Sequence, residues 1–251
     1  MNDRFSLAGR NAIITGSTRG IGLAMARGFL EAGATVTVCS RKQEGVDEAL
    51  AELKDHGDNV FGKTVHVAQL ESMEQLLTAS RERFGEVHLL VNNAGTNPYF
   101  GPIVDSPDSA WDKTLDVNLK GPYQLSKLVA KQMTDGGSII NISSVAGLTA
   151  LEQQGIYSVS KAALIMLTKA MARELGRQKI RVNAICPGLI KTRLSEAIWA
   201  DPKIEKIVTA QKALGRIGDT DELTGAALYF ASEASSFTTG AILQVDGGMV
   251  I

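Results

Sequence analysis

The sequence predicts an α/β protein built on a single doubly wound parallel sheet of about seven strands. Short apolar runs rich in β-branched residues alternate along the chain with amphipathic stretches of helical periodicity. Strands that alternate with helices form βαβ units, and right-handed crossovers then cover both faces of a parallel sheet with helices. No linker, repeat or low-complexity segment divides the chain, so we expect one domain over residues 1–251.

The predicted elements follow one another in a regular order. Strands are expected at Asn11–Thr15, Thr35–Ser40, Val60–Val67, His88–Asn93, Ser138–Ser143, Arg181–Cys186 and Ala241–Gly247. Helical periodicity covers Gly22–Ala32, Val46–Gly57, Met73–Gly85 and Glu222–Ser232, and longer helices are expected at Ser109–Met133 and Gly155–Leu175. Residues 188–218 interrupt the alternation and predict a helical insertion after the sixth strand. Insertions at the carboxyl end of a strand are usually lids or binding loops.

Composition argues against several classes of function. The net charge is −1 and 44% of the residues are hydrophobic, so the chain can bury a large core but lacks the basic field that nucleic acid or an anionic membrane would attract. The two cysteines, Cys39 and Cys186, stand far apart in the sequence, so we expect free thiols in a reducing compartment. His56, His66 and His88 show no mutual ligand spacing, so no metal site is expected. With no signal peptide or apolar run of spanning length visible, we expect a cytoplasmic protein.

A glycine-rich turn, Thr15–Gly22, follows the first predicted strand. In an open α/β sheet, ligands bind outside the carboxyl ends of the strands. Gly16, Gly20 and Gly22 allow a tight turn and a close approach of a pyrophosphate to the N-terminus of the next helix. Glycine-rich turns that bind nothing are also common, so this motif alone does not establish a dinucleotide site.

Other polar groups fall at the same edge of the predicted sheet. Tyr157 and Lys161 stand four residues apart, so one helix face brings a phenol and an ammonium side by side. Taken alone, such a pair is more often a tyrosine at the rim of the core beside a solvent-exposed lysine. The remaining features are the turn Asn92–Gly95, Asn118 within a helix, Ser143 and Ser144 after the fifth strand, and Cys186–Gly188 after the sixth. Each is typical of an ordinary turn or cap, but together they indicate a site.

In this order, these elements resemble the short-chain dehydrogenase/reductase family. The matching residues are TGSTRGIG, NNAG, Asn118, Ser144, YSVSK with Tyr157 and Lys161, and PG followed by Thr192. The resemblance covers essentially the whole chain and implies a Rossmann-like fold with a nicotinamide cofactor. The segments SRKQEGVDEA and CPGLIKTRLSEAIW look like the branch that contains NADPH-dependent carbonyl and retinal reductases.

The resemblance implies roles for the residues at matching positions. The catalytic group would comprise Asn118, Ser144, Tyr157 and Lys161. The cofactor would contact Gly16, Ser17, Thr18, Arg19, Gly20, Ile21, Gly22, Ser40, Arg41, Leu70, Asn93, Ala94, Gly95, Pro187, Gly188, Ile190 and Thr192, together with Tyr157 and Lys161. Many relatives carry an acidic residue after the third strand that binds the adenine amino group. This chain has Gln69 there, and a carboxamide can also form hydrogen bonds.

The Tyr157–Lys161 pair fits the chemistry of carbonyl reduction. Hydride transfer to a carbonyl leaves negative charge on oxygen, and a proton must meet it. A phenol has a reference pKa of about 10, and a neighbouring ammonium should lower it. Tyr157 would then be the acid in reduction and the base in oxidation, and Ser144 would hold the substrate oxygen. By resemblance, Asn118 would hold a water that connects Lys161 to solvent.

The end of the second strand favours NADP(H). NAD-specific relatives usually carry an acid at this point that binds the ribose 2′-hydroxyl. This chain has Ser40 followed by Arg41, and Arg19 in the glycine-rich turn should face the same space. A guanidinium matches a phosphate in geometry and charge, whereas a carboxylate would repel it. The alternative interpretation is that these arginines are simply solvated surface residues.

The predicted function is that of an NADP(H)-dependent oxidoreductase that interconverts a ketone or aldehyde and the corresponding alcohol. Its pocket would lie between Ser144, Tyr157, the Tyr99–Phe100 loop, and Leu194, Ile198 and Trp199 of the insertion. A 3-oxoacyl-[acyl-carrier-protein] reductase shares every motif, and a non-catalytic NADP-binding sensor or scaffold shares the fold. The apolar surface of the two long helices, which relatives pair across a two-fold axis, predicts a homotetramer.

Overall fold

The seven strands of the computed structural model, which describes residues 3–210 and 212–251, form one sheet of order β3-β2-β1-β4-β5-β6-β7. Every neighbouring pair is parallel. The strands are β1 Asn11–Thr15, β2 Thr35–Ser40, β3 Val60–Thr64, β4 Leu89–Asn92, β5 Gly137–Ile142, β6 Ile180–Pro187 and β7 Ile242–Val245. The predicted fold class is confirmed. The strand order reverses direction between β1 and β4, so the crevice for a ligand opens at their carboxyl ends.

The helices cover both faces of the sheet. They are α1 Gly20–Glu31, α2 Gln43–Glu52, α3 Leu70–Phe84, α4 Asp108–Leu115, α5 Gly121–Ala130, α6 Gly155–Leu175, α7 Glu196–Trp199, α8 Pro202–Thr209 and α9 Thr224–Ala231. In the described residues, no helix has the length and apolar character needed to cross a membrane.

The expected helix Ser109–Met133 is divided. A π-helical turn, Asp116–Lys120, separates α4 from α5, and the N–H of Gly121 bonds to the carbonyl of Asp116. Pro122 follows at once and has no N–H to donate, so the regular α-helical pattern cannot continue through this point. The prediction Val46–Gly57 is also too long, because α2 ends at Glu52 and a 3₁₀ segment follows.

Two hydrophobic cores, one on each face of the sheet, hold its strands in place. Ile13 and Ile14 of β1 face opposite sides of the sheet, as successive residues of a strand do. One core packs α1 and α9 against the sheet through Phe29 and Phe230, both fully buried. The other packs α3 and α5 through residues such as Leu76. Because both faces are buried, the loops at the carboxyl ends start from fixed positions.

The segment between β6 and α9 contains a 3₁₀ turn followed by α7 and α8, as expected for a helical insertion. Its ends are joined by a bridge between Ile190 and Gly218. The buried ammonium of Lys212 donates to the carbonyl of Leu189 over 3.2 Å and strengthens the same base. The insertion therefore leaves the sheet directly beside the carboxyl end of β6.

Candidate active site

The glycine-rich turn lies between β1 and α1. Gly16 and Gly20 have positive φ angles of 64° and 56°, which glycine adopts at low cost. A Cβ at Gly22 would lie 2.5 Å from the carbonyl oxygen of Gly16, so this position has no room for a side chain. Ile21 is half-buried beside it in the first turn of α1. The turn leaves open backbone at the N-terminus of a helix, which favours a negatively charged ligand.

Ser17 differs from the other residues of this turn. Its side chain is fully buried, accepts a hydrogen bond from the N–H of Cys39 over 2.9 Å and donates to the carbonyl of Ile14. Its N–H also bonds to the Cys39 carbonyl. These contacts hold the turn against β2, and they leave the hydroxyl of Ser17 facing the protein interior instead of the crevice.

The loop after β4 is fastened to the same turn. The carboxamide nitrogen of Asn93 donates to the carbonyls of Thr15 and Gly16 over 2.9 and 3.0 Å. The hydroxyl of Thr15 in turn accepts the N–H groups of Asn93 and Ala94, each over 3.0 Å. Gly95 comes next, and a Cβ there would lie 3.6 Å from both Asn118 Oδ1 and Lys161 Nζ. The structure thus links this loop to the expected catalytic residues.

The residues expected at the adenosine end lie beside β2 and the start of α2. A Cβ at Gly45 would lie 3.4 Å from Thr18 Oγ1 and 3.6 Å from Ser40 Oγ, so these two hydroxyls face the same glycine. Arg19 and Arg41 are both exposed. Leu70, at the start of α3, is 47% exposed, which leaves an apolar surface against which a flat ring can pack.

Asn118 is fully buried on the π turn, and its carboxamide is held on two sides. Its Oδ1 accepts the N–H of Thr96 over 2.8 Å, and its Nδ2 donates to the Thr96 carbonyl over 2.9 Å. Nδ2 also donates to the hydroxyl of Ser160 over 3.1 Å. A polar side chain inside a helix is costly unless its groups find partners, and here they do.

Tyr157 and Lys161 lie on one face at the start of α6, as the spacing predicted. The ammonium nitrogen of Lys161 is 5.6 Å from the centre of the Tyr157 ring and donates to the carbonyl of Ile142 over 2.9 Å. Lys161 is only 4% exposed. Ser144 lies at the N-terminus of a short 3₁₀ turn, where its Oγ accepts the N–H of Ala146.

Burial controls the ionisation of this pair. It raises the pKa of Tyr157, an effect that the hydrogen bond with Ser144 partly opposes. Burial also lowers the pKa of Lys161 from 10.5 to about 8. The net pKa shift of Tyr157 is therefore upward, opposite to the expected lowering, because the cost of burying a phenolate is the largest effect.

The end of β6 and the start of the insertion form the opposite wall. Pro187 ends the strand, and a Cβ at Gly188 would lie 2.7 Å from the Cα of Asp246. Ile190 is buried. The methyl carbon of Thr192 lies 3.5 Å from the position of a Cβ at Gly20, which brings the insertion against the glycine-rich turn.

The expected substrate loop is tied to the segment before α6. The N–H of Gly101 donates to the carbonyl of Gln153 over 3.0 Å, while Phe100 is 58% exposed. Trp199 donates its indole N–H to the Thr192 carbonyl over 3.0 Å. The side chains of Leu194 and Ile198 lie outside the part of the chain that the structure describes.

Several contacting groups were missed by sequence reasoning. They are the hydroxyls of Thr15 and Ser160, the backbone of Thr96 and the carbonyl of Ile142. Of these groups, only Ser160 could have been found from the sequence, because it is a polar residue at a buried position of a predicted helix. His88 is engaged elsewhere, since its Nδ1 accepts the Asn11 N–H at the amino end of the sheet. Among the described residues, no group of three or more His, Cys, Asp or Glu side chains could hold a metal ion.

Lys161→Met is expected to raise the free energy of unfolding of the cofactor-free protein at pH 7, because it removes a buried charge. The folded-state pKa of about 8 lies below the ordinary 10.5, so between these values the unfolded chain binds the proton more tightly and wild-type stability rises with pH. The advantage of the variant should shrink across that window. Denaturant unfolding at a series of pH values measures it.

Lys169→Met is the matched control, because Lys169 is exposed on the same helix. The difference between this variant and wild type should not change across the window. A pH-independent difference for Lys161→Met as well would contradict the prediction.

Comparisons with known proteins identify relatives of the whole chain. Residues 16–250 match the family described as enoyl-(acyl carrier protein) reductase. The chain is 41% identical to dehydrogenase/reductase SDR family member 4 of Bos taurus and 40% identical to that of Homo sapiens, each over 99% of this chain and 90% of the relative.

Solved structures match the whole fold. Gluconate 5-dehydrogenase from Burkholderia cenocepacia J2315, in complex with NADP and tartrate, is 36% identical with a TM-score of 0.93 over 98% of this chain and 97% of that one. A short-chain type dehydrogenase/reductase from Mycobacterium marinum is 34% identical with a TM-score of 0.93 over 99% and 98% of the two chains. The chain belongs to the short-chain dehydrogenase/reductase family, whose members are oxidoreductases that use nicotinamide cofactors.

Proposed function

We propose that this protein is an NADP(H)-dependent oxidoreductase that interconverts a ketone or aldehyde and the corresponding alcohol. The observation that carries the proposal is the convergence of Asn118 and Lys161 on Gly95, beside the glycine-rich turn, with the Tyr157 ring 5.6 Å from the Lys161 ammonium. A turn that only bound a dinucleotide would need no phenol there. A panel of carbonyl compounds, scored by the loss of NADPH absorbance, tests the proposal directly.

The described residues fit a nicotinamide dinucleotide. A pyrophosphate fits against Gly16, Gly20 and Gly22, where added side chains would meet backbone or Thr192. The space between Thr18, Ser40 and Gly45 has two hydroxyls and no carboxylate at the end of β2, which suits a 2′-phosphate. The structure of the B. cenocepacia relative in complex with NADP supports the same choice.

Tyr157 would be the proton donor in reduction. A raised pKa keeps its phenol protonated at neutral pH, as an acid must be. When bound, the nicotinamide supplies or accepts the hydride. Lys161 holds a positive charge 5.6 Å from the phenol ring, and that charge stabilises the phenolate left after proton transfer. Ser144 would hold the substrate oxygen within reach of Tyr157.

Asn118 would hold a relay water through its backbone rather than its carboxamide. The carboxamide is committed to Thr96 and Ser160. The carbonyl of Asn118, in contrast, cannot receive the α-helical hydrogen bond from four positions later, because that residue is Pro122. A water on that carbonyl could pass a proton to the ammonium of Lys161.

The panel of carbonyl compounds also tests two alternative functions. A 3-oxoacyl-[acyl-carrier-protein] reductase would use the same residues, and the acyl-carrier description of the matching family favours including 3-oxoacyl thioesters. A non-catalytic sensor would bind NADPH and reduce nothing. If no compound in the panel were reduced while NADPH still bound, the protein would be a sensor and not an enzyme.

Tyr157→Phe should abolish turnover and leave NADPH binding nearly intact, because it removes only the proton donor. We expect kcat to fall by at least about a hundredfold, the usual effect of losing an acid–base group. Tyr123→Phe, at an exposed tyrosine of α5, should keep wild-type kcat. A metal chelator should affect neither protein. Steady-state kinetics and NADPH fluorescence titration measure the two quantities, and a Tyr157→Phe enzyme above that limit would identify another residue as the acid.

The cofactor preference should depend on Ser40 and the two arginines. Charge-assisted hydrogen bonds are worth roughly 1.5–3 kcal/mol each, so two of them give a preference for NADPH in kcat/KM of about a hundredfold or more, which salt reduces. Ser40→Asp should invert the preference by repelling the 2′-phosphate. Ser236→Asp adds the same charge at an exposed site and should leave it unchanged. Equal use of NADH by the wild type would mean that Arg19 and Arg41 bind no phosphate.

We also propose a cytoplasmic homotetramer. Val159 and Met166 of α6 are 44% and 62% exposed and lie seven residues apart on one helix face, and Tyr123 of α5 is also exposed. Exposed apolar stripes of this kind are typical of subunit contacts. Light scattering at micromolar concentration should give four times the monomer mass of 26.7 kDa. Val159→Lys combined with Met166→Lys should lower that mass, and a monomeric wild type would contradict the assembly.

A further inference from the structure

Ser160 lies at the centre of the site without facing the crevice. It is fully buried on α6, directly before Lys161 and three residues after Tyr157. Its hydroxyl lies 2.7 Å from the carbonyl oxygen of Tyr157 and 3.1 Å from Nδ2 of Asn118. One side chain thus bonds the catalytic helix to the π turn between α4 and α5.

The hydrogen bonds through Ser160 have a fixed direction. A hydroxyl has one proton, and Ser160 donates it to the carbonyl of Tyr157. Its oxygen therefore accepts from Asn118, whose other carboxamide bonds all go to the backbone of Thr96. Removing the hydroxyl of Ser160 would leave a buried N–H of Asn118 without a partner, and such a group is costly.

The position of Asn118 in turn fixes two other parts of the site. Its backbone carbonyl cannot accept an N–H from Pro122, and the orientation of the π turn decides where that oxygen points. Its side chain also holds Thr96, the neighbour of Gly95, and a Cβ at Gly95 would lie 3.6 Å from Lys161 Nζ. A shift of Asn118 therefore moves the relay carbonyl and the loop beside Lys161 together.

We propose that Ser160 is a positioning residue for proton transfer, which it serves by holding Asn118 in register with Tyr157 and Lys161. Its hydroxyl is fully buried and bonded to Tyr157 and Asn118, so its role is to position other groups. The inference rests on the proposed function for its kinetic readout, but the contact between Ser160 and Asn118 is open to measurement without turnover.

Thr168 provides a matched control on the same helix. It is fully buried, its hydroxyl donates to the Leu164 carbonyl over 2.8 Å, and it accepts Nδ2 of Asn141 over 2.9 Å. The arrangement is the same as at Ser160, with a back-bonded hydroxyl that holds a buried asparagine. Thr168, however, stands about two helical turns beyond Lys161 and about three beyond Tyr157. Thr168→Val removes the same kind of hydrogen bond from Asn141, whose carboxamide bonds to Asn92 rather than to Asn118, Tyr157 or Lys161.

The kinetic experiment compares Ser160→Ala with Thr168→Val in the full-length enzyme. Both variants should lose similar stability, whereas only Ser160→Ala should lower kcat, by about tenfold, with less than a twofold change in the KM for NADPH. The apparent pKa that governs the alkaline limb of the kcat–pH profile of Ser160→Ala should also differ from that of wild type. Ser160→Thr keeps the hydroxyl and should recover most of kcat. Equal kcat values for Ser160→Ala and Thr168→Val would overturn the proposal.

A double-mutant cycle with Asn118→Ala asks whether Ser160 acts through Asn118. If it does, Ser160→Ala should change kcat little on the Asn118→Ala background. A full tenfold loss on that background would show that Ser160 acts by another route and would overturn the proposal. The cycle decides even if the added methyl of Ser160→Thr prevents folding.

Hydrogen–deuterium exchange separates this inference from the proposed function. In Ser160→Ala, peptides that contain Asp116–Lys120 and Gly95–Asn97 should exchange faster than in wild type, whereas Thr168→Val should leave them unchanged. If the wild type reduced no carbonyl compound, the proposed function would fail while this measurement still tested the contact. Unchanged exchange in Ser160→Ala would overturn the inference.

Discussion

The carboxamide of Asn93 joins the two loops on which the whole site depends. It donates to the carbonyls of Thr15 and Gly16 and so connects the loop after β4 to the turn after β1. These loops leave adjacent strands at the point where the strand order reverses, and no helix or strand connects them directly. The hydroxyl of Thr15 completes the connection by accepting two N–H groups from the partner loop. The two walls of the crevice therefore keep a fixed separation.

This connection also explains the spacing of the glycines. A Cβ at Gly22 would lie 2.5 Å from Nδ2 of Asn93, and a Cβ at Gly16 would lie 3.0 Å from the Cα of Ala94. At both positions the loop after β4 occupies the space that a side chain would need, and at Gly22 the carbonyl of Gly16 occupies it as well. The glycines thus permit the protein's own loops to meet, and the open backbone that suits a pyrophosphate is a consequence of that meeting.

The sequence was sufficient for the sheet and for most of the residues that meet at its edge, because apolar strands and glycine turns report local backbone needs. It failed where a property depends on elements distant in the chain. The sign of the Tyr157 pKa shift was wrong because a pairwise rule counts the ammonium of Lys161 but not the burial produced by the surrounding loops. The hydrogen bonds that Ser17 forms with Cys39 could not be foreseen, because they depend on the position of β2. The roles of Thr96 and Ser160 require the partner of Asn118 to be known.

The π turn at Asp116–Lys120 was unpredictable for a related reason, and it satisfies two constraints at once. Hydrophobic periodicity shows which face of a helix is buried, whereas one additional residue in a turn rotates the following face by about 100°. Here α4 packs against α6, while α5 packs against α3, so the buried face must change between them. The same turn places the carboxamide of Asn118 between Thr96 and Ser160. A regular helix through this segment could not direct α5 into the core and Asn118 into the site together. The packing of the scaffold and the placement of a functional group therefore depend on this single irregularity. π turns are commonly found at functional sites.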